Sequence, residues 1–232
     1  MPKKPIRPFN YEEIKYLNDD EIEDSPKISQ EQLSDAKIFS SREEYAKSLP
    51  KGIKYMEVGV AWGYSAQMFI DASEASEALL VDLYNQDLKC WSWRKFGSCQ
   101  CSGIKHELLY TPETHQTFII DKFSYHPKVA TMKGNAENIL STLNYKYDFI
   151  YIDVSNDRFL TRKVLHDSAK LVDIGGRIGL NDYLIYDGII EDIGYGTFQT
   201  VNEFLSINKN WVVDAIALHN LGFYDIYLRK VS

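Results

Sequence analysis

Cysteine is scarce in this chain of 232 residues, and the few present have no framework to build. Cys90, Cys99 and Cys101 are an odd number crowded into one segment, which makes a poor disulfide set and suits a reducing compartment. Even with His106 nearby, their C-x8-C-x-C spacing lacks the paired knuckles of common structural zinc sites and reads as reduced thiols in a loop. Long apolar runs are missing too: none approaches membrane-spanning length. The opening MPKKPIRPFNYEE is basic but has no apolar core of the signal-peptide kind. The location expected from these absences is the cytoplasm. Basic residues are outnumbered, 26 Lys and Arg against 33 Asp and Glu, for a net charge of −7. Phosphate binding needs a dominant basic surface, so no nucleic-acid partner is expected. No membrane partner is expected either; a small-molecule substrate is, and assembly into a homo-oligomer stays open. The chain has no internal repeat.

What is present is an ordinary globular composition, 44% apolar and 25% charged, long enough for one α/β domain plus an extension. Residues 1–40 read as a solvated N-terminal extension, with the acidic cluster Asp19 to Asp24, several prolines and short apolar patches. A helix is expected from Ser40, which has capping-box spacing to Glu43, and it stops by Pro50. From there strands and helices alternate. IKYMEVGV, EALLVDLY, KVATMKG, YDFIYIDV and GGRIGLND read as strands, with helices of 9–15 residues between them. Residues 84–113 interrupt the rhythm. The chain closes with NWVVDAIAL and GFYDIYLRK, two strands whose link HNL is too short for a parallel crossover. The expectation is an α/β, Rossmann-like, seven-stranded and mainly parallel sheet. Helices should cover both faces, and an antiparallel C-terminal hairpin should form the edge.

Ligands of open α/β sheets bind beyond the carboxyl ends of the strands, and polar groups cluster at those ends here. They are Glu57, Gly59 and Gly63; Asp82; Gly134 and Asn135; Asp153; and Asn181 with Asp182. The G-x-x-x-G spacing of Gly59 and Gly63 differs from the G-x-G-x-x-G that lays a pyrophosphate on a helix N-terminus. Glu57 would repel a pyrophosphate and suits a ligand carrying positive charge. Asp82 follows Gly59 by 82 − 59 = 23 residues, close to the roughly 20-residue offset at which an acid accepts from ribose hydroxyls. A nucleoside with a ribose, no pyrophosphate and a positive charge is the ligand that pattern wants, and S-adenosylmethionine answers the description. Against this stands the plainer view that the glycines make a tight turn and Asp82 caps a helix.

These segments resemble those of a known family. EVGVAWGYS looks like the first motif of class I S-adenosylmethionine-dependent methyltransferases, and LLVDLY resembles their second. MKGNAENIL is similar to the stretch that holds the adenine. YDFIYIDVSND and GGRIGLNDYLIY are similar to later motifs of small-molecule O-methyltransferases, the catechol and macrolide-sugar types. The resemblance spans roughly residues 40–230, each motif weak alone and the ordered set specific. It implies a methyltransferase domain over 41–232 with a lid-like insertion at 84–113, and methyl transfer to a small hydroxylated acceptor, a sugar or glycosylated metabolite. By the same resemblance Glu57, Gly59, Gly63 and Ser65 line the methionine and ribose side, Asp82 takes the ribose hydroxyls, and Asn135 and Ala136 flank the adenine. Asp153 is expected among the cofactor-binding residues too, and merely approaching the cofactor is the rival to its holding a metal.

In the sugar and catechol enzymes, acids matching Asp153 and Asp182 hold Mg²⁺, so the resemblance implies a metal site at Asp153, Asn181 and Asp182. The rival role for Asn181 and Asp182 is to cap the following turn. Asn181 stands where the sugar enzymes often carry a second aspartate, leaving the site one negative charge short. A second departure is Asn156, at the place of the catechol type's lysine or a related histidine. An amide is no general base near neutral pH. Asp157, His166 and His219 are the nearby alternatives, and no base is assigned. In the insertion, Trp91, Trp93 and Phe96 suggest a cover over the substrate side, with Arg94 and Lys95 able to meet an anion. Two rival functions remain, a nicotinamide-dependent oxidoreductase and a binding module that keeps the cofactor pocket without catalysis.

Overall fold

The computed structural model describes residues 25–85, 114–154, 157–187, 193–219 and 223–232. Most of the 84–113 insertion, including Cys90, Trp91, Trp93, Arg94, Lys95, Phe96, Cys99, Cys101 and His106, lies outside the described residues, as does Asn156.

The strands are β1 (Lys37–Phe39), β2 (Lys54–Val58), β3 (Glu77–Asp82), β4 (Val129–Lys133), β5 (Tyr147–Ile152), β6 (Val172–Leu180), β7 (Tyr186–Asp187), β8 (Ile193–Gly194), β9 (Trp211–Leu218) and β10 (Tyr224–Lys230). The helices are α1 (Gln30–Leu33), α2 (Arg42–Ser48), α3 (Tyr64–Ser73), α4 (His115–Lys122), α5 (Ala136–Thr142), α6 (Arg158–Lys170) and α7 (Thr197–Ile207). Among them none is long and apolar enough to cross a membrane. Eight strands form the main sheet in the order β1-β9-β10-β6-β5-β2-β3-β4, and β7 and β8 pair antiparallel as a separate ribbon. The β2–β3, β3–β4, β2–β5 and β5–β6 pairs are parallel, and β10 runs antiparallel to both β6 and β9. The seven expected strands and the antiparallel hairpin are all present.

The eighth strand was not expected. β1 pairs parallel with β9, Ile38 opposite Ile216, so the hairpin is not the sheet's edge. Just before it, the buried side chain of Gln32 donates to the carbonyls of Leu205 (2.9 Å) and Trp211 (3.0 Å). The last part of the 1–40 extension is therefore fastened to the sheet by hydrogen bonds.

A parallel sheet covered on both faces needs apolar side chains in both directions, and β2 and β5 are buried on both. Met56, Val58, Ile150, Ile152, Ile178 and Leu180 pack on one side with Val164, Leu165, Val201 and Phe204 of α6 and α7. The other side is aromatic: Tyr55, Phe149, Tyr151 and Tyr227 meet Tyr45 of α2 and Phe69 of α3. Tyr45 stacks on Tyr227 with ring centroids 3.5 Å apart, and Phe69 meets Phe149 edge-on at 4.9 Å. Both layers end at the same rim, where the strands give way to the polar residues singled out above.

Candidate functional site

The rim is stitched by one backbone bond per strand. Gly134 donates to Asp82 O (2.9 Å), Gly59 to Val81 O (2.8 Å), Asp153 to Val58 O (2.8 Å) and Asn181 to Ile152 O (3.0 Å). Parallel register thus sets the residue just past each strand end beside its neighbour, which is how positions far apart in sequence share one edge.

Gly59 turns the chain with φ +89°, and a Cβ added there would sit 1.8 Å from the Asp153 carbonyl oxygen. No side chain fits, because β2 and the end of β5 must approach that closely. Gly63, φ +66°, precedes α3, and a Cβ there would press on the Phe123 ring at 3.0 Å. Between them Ala61 takes φ +44°, a left-handed conformation that costs an L-residue about 1–2 kcal/mol. Bonds on both sides hold it: its N–H donates to Asp82 Oδ2 (3.0 Å), and its carbonyl lies 2.7 Å from His115 Nε2.

Asp82 is the organiser of this loop. Oδ2 accepts from the N–H groups of Val60 (2.7 Å) and Ala61, and Oδ1 from Tyr84 N–H (2.8 Å). A carboxylate has about four acceptor positions, so one is left after these three.

Gly59, Ala61, Val81, Asp82, Leu83 and Gly134 line an open cleft of about 230 Å³ together with Asn135, Ala136, Asp153, Val154 and Leu160. Five of the eight residues expected around the cofactor therefore meet in one cavity: Gly59, Asp82, Asn135, Ala136 and Asp153. Asn135 also caps α5, accepting from Glu137 N–H at 3.0 Å. Glu57, Gly63 and Ser65 lie outside the lining. Glu57 is buried beneath the loop, bonded by the Tyr55 hydroxyl, and burial holds its carboxyl well above the usual range, Asp153 adding to the effect. Ser65 turns away, its hydroxyl accepting from Arg42 Nη1 at 3.0 Å.

Arg42, at the start of α2, is the site residue that sequence reading missed. It grips the buried Asp225 of β10 by Nε to Oδ2 (2.6 Å) and Nη2 to Oδ1 (3.0 Å). The same Nη2 donates to Asn181 Oδ1 at 2.5 Å. The guanidinium also lies over the Tyr151 ring, 5.3 Å from its centroid. Burial works against its charge, but Tyr151 and Asp225 outweigh this and raise its pKa further. Tyr151 and Tyr227 hydroxyls donate to the same Asp225 Oδ2, each at 3.0 Å.

That network corrects the metal expectation. Asn181 presents its amide nitrogen, not its oxygen, to Asp153, at 3.0 Å from Oδ1. Its oxygen already takes Arg42, and the Tyr151 hydroxyl, whose one proton has Asp225 as its nearer acceptor, lies 3.2 Å from it. A hard cation wants several converging oxygens, and a guanidinium stands among these donors. The residues present do not fit Mg²⁺. Among the described residues, no group of three or more His, Cys, Asp and Glu side chains is placed to hold a metal. Asp182 takes φ +53° beside Asn181 and, with Asp153, Thr161 and Thr197, lines a water-sized hollow next to the cleft.

Asp153 is the acid shared by the cleft and this hollow, and its pKa is raised to about 6. Burial is the main cause, Arg42 opposes it and Asp225 adds to it. Of the other base candidates, Asp157 caps α6 by accepting from Leu160 N–H at 2.8 Å. His166 packs on Phe204 away from the rim. His219 follows β9 on the rim side, its ring beside Phe223.

No family model matches the chain. One curated relative, the probable cobalt-precorrin-6B C(15)-methyltransferase (decarboxylating) of Saccharolobus solfataricus, is 26% identical over 111 residues, 48% of this chain and 43% of that protein. The chain thus spans less than half the length of the curated relative it matches. Among solved structures, an rRNA methylase from Streptococcus thermophilus superposes with a TM-score of 0.54 at 10% identity, covering 82% of this chain and 94% of the other. The O-methyltransferase TomG of Streptomyces achromogenes, involved in tomaymycin synthesis and solved with S-adenosylmethionine, gives 0.54 at 14%, covering 82% and 78%. The chain has the class I methyltransferase fold, and its structural neighbours include S-adenosylmethionine-dependent methyltransferases.

Proposed function

We propose that the chain binds S-adenosylmethionine in the cleft at the ends of β2, β3, β4 and β5 and transfers its methyl group to a small hydroxylated acceptor. The observation that carries this is the convergence of Gly59, Asp82, Asn135, Ala136 and Asp153 on one cavity. Asp82 keeps one acceptor position for a ribose hydroxyl, and Asn135 and Ala136 offer an adenine a wall at the start of α5. When bound, S-adenosylmethionine supplies an electrophilic methyl on a sulfonium.

The chain's own part is to position the reactants, exclude water and handle a proton. Asp153, placed between cleft and hollow, is the group that would accept the acceptor's hydroxyl proton, and a pKa near neutrality suits a general base. No step needs a divalent cation. The structural neighbours include an rRNA methylase, but a net charge of −7 argues against an acceptor rich in phosphate. The test is transfer of labelled methyl to a panel of sugars and phenols in excess chelator. Product with at least one acceptor is expected, and none across the panel would leave a binding module instead.

A further inference from the structure

Arg42 carries more than a structural role. A guanidinium has five N–H donors. Four are used: Nε on Asp225 Oδ2, Nη2 on Asp225 Oδ1 and on Asn181 Oδ1, and Nη1 on Ser65 Oγ. The second N–H of Nη1 has no acceptor among the described residues. Its partners are themselves committed. Asp225 takes two bonds from Arg42 and two from tyrosine hydroxyls, so it is a holder with little capacity for a ligand. The side chain as a whole keeps 22% of its surface exposed.

The position matters as much as the charge. The elements that converge on Arg42 are the ends of β6 and β10, the start of α3 and the face of Tyr151. Asn181 then links it to Asp153, the wall of the cofactor cleft. Arg42 is thus a fixed cation one hydrogen-bonded residue away from that wall.

We infer that Arg42 is the resident cation of the acceptor subsite, giving its remaining Nη1 N–H to an anionic oxygen of the acceptor. This rests on the methyltransferase reading for the word acceptor only. The chemistry it selects is a carboxylate or an acidic hydroxyl close to the methylated oxygen. A neutral polyol is not favoured. Planar two-point geometry is already spent on Asp225, so the contact to the ligand is a single charge-assisted bond.

The test uses the full chain saturated with S-adenosylhomocysteine in excess chelator, with benzoate as the probe, followed by saturation-transfer NMR. Benzoate is expected to bind wild type. Arg42→Lys, which keeps the charge on Asp225 but loses the second arm, should weaken it by about tenfold or more, the scale of one charge-assisted bond. Affinity for S-adenosylhomocysteine should fall less than that for benzoate, since Arg42 reaches the cleft wall only through Asn181. Arg42→Ala should behave likewise; if it fails to fold with Asp225 uncompensated, Arg42→Met with Asp225→Asn replaces it. Equal benzoate affinity in wild type and Arg42→Lys would overturn the inference. So would no binding to wild type, or one Mn²⁺ bound by chelator-free wild type and lost in Asp153→Asn. If wild type fails to bind S-adenosylhomocysteine, the methyltransferase reading falls, and benzoate with the free chain still decides the role of Arg42.

Discussion

Asp82 organises the loop that borders the cleft, and the proposed function gives it a ligand as well. Its three backbone bonds fix the turn that Gly59 begins, they leave one acceptor position, and the residue lines the cleft. Asp82→Ala should therefore weaken S-adenosylhomocysteine binding by about 1.5–3 kcal/mol, the range for hydrogen bonds to charged groups. It should also lower stability, because three N–H groups lose their partner. Calorimetry paired with urea unfolding separates the two effects; a folded variant with unchanged affinity would remove Asp82 from the site. The offset from Gly59 made this residue legible in sequence, whereas its work on the loop was not, since backbone partners leave no pattern. Arg42 was invisible for a related reason: a charge opening a seven-residue helix reads as solvated, and its partner Asp225 lies 183 residues away.

At the scale of elements, the buried parallel strands announced themselves, because β2, β5 and the later half of β6 are apolar runs set between capped helices. The strand β1 did not. It is three residues long, two of them exposed, and it forms only because β9 offers a free edge. Gln32 gives the attachment its second support through two buried bonds to Leu205 and Trp211. Gln32→Ala leaves both carbonyls short of a donor and should cost about 1–3 kcal/mol. Urea denaturation is the check, with no loss expected in S-adenosylhomocysteine affinity, since α1 is far from the cleft lining. A neutral variant would mean that the N-terminal attachment adds nothing to the sheet.

For the whole molecule, burying Glu57 beneath the loop has a consequence in pH. Its folded pKa is raised, so between the ordinary carboxylate range and that raised value the native state holds a proton that the unfolded chain has released. The stabilising contribution is complete below the ordinary range and is lost as pH rises through the folded pKa. Glu57→Gln keeps an acceptor for the Tyr55 hydroxyl and cannot ionise, so it should flatten this loss and be more stable than wild type at pH 8. Equal pH profiles for the two proteins would show that Glu57 does not titrate with folding.

The central claim is that the cleft formed by Gly59, Asp82, Asn135, Ala136 and Asp153 is built for S-adenosylmethionine and not for a dinucleotide. Calorimetric titration of the full chain with S-adenosylhomocysteine and, separately, with NAD tests it most directly. The account predicts one equivalent of S-adenosylhomocysteine bound, weakened in Asp82→Ala, and no heat from NAD. Saturable binding of NAD with none of S-adenosylhomocysteine would contradict it.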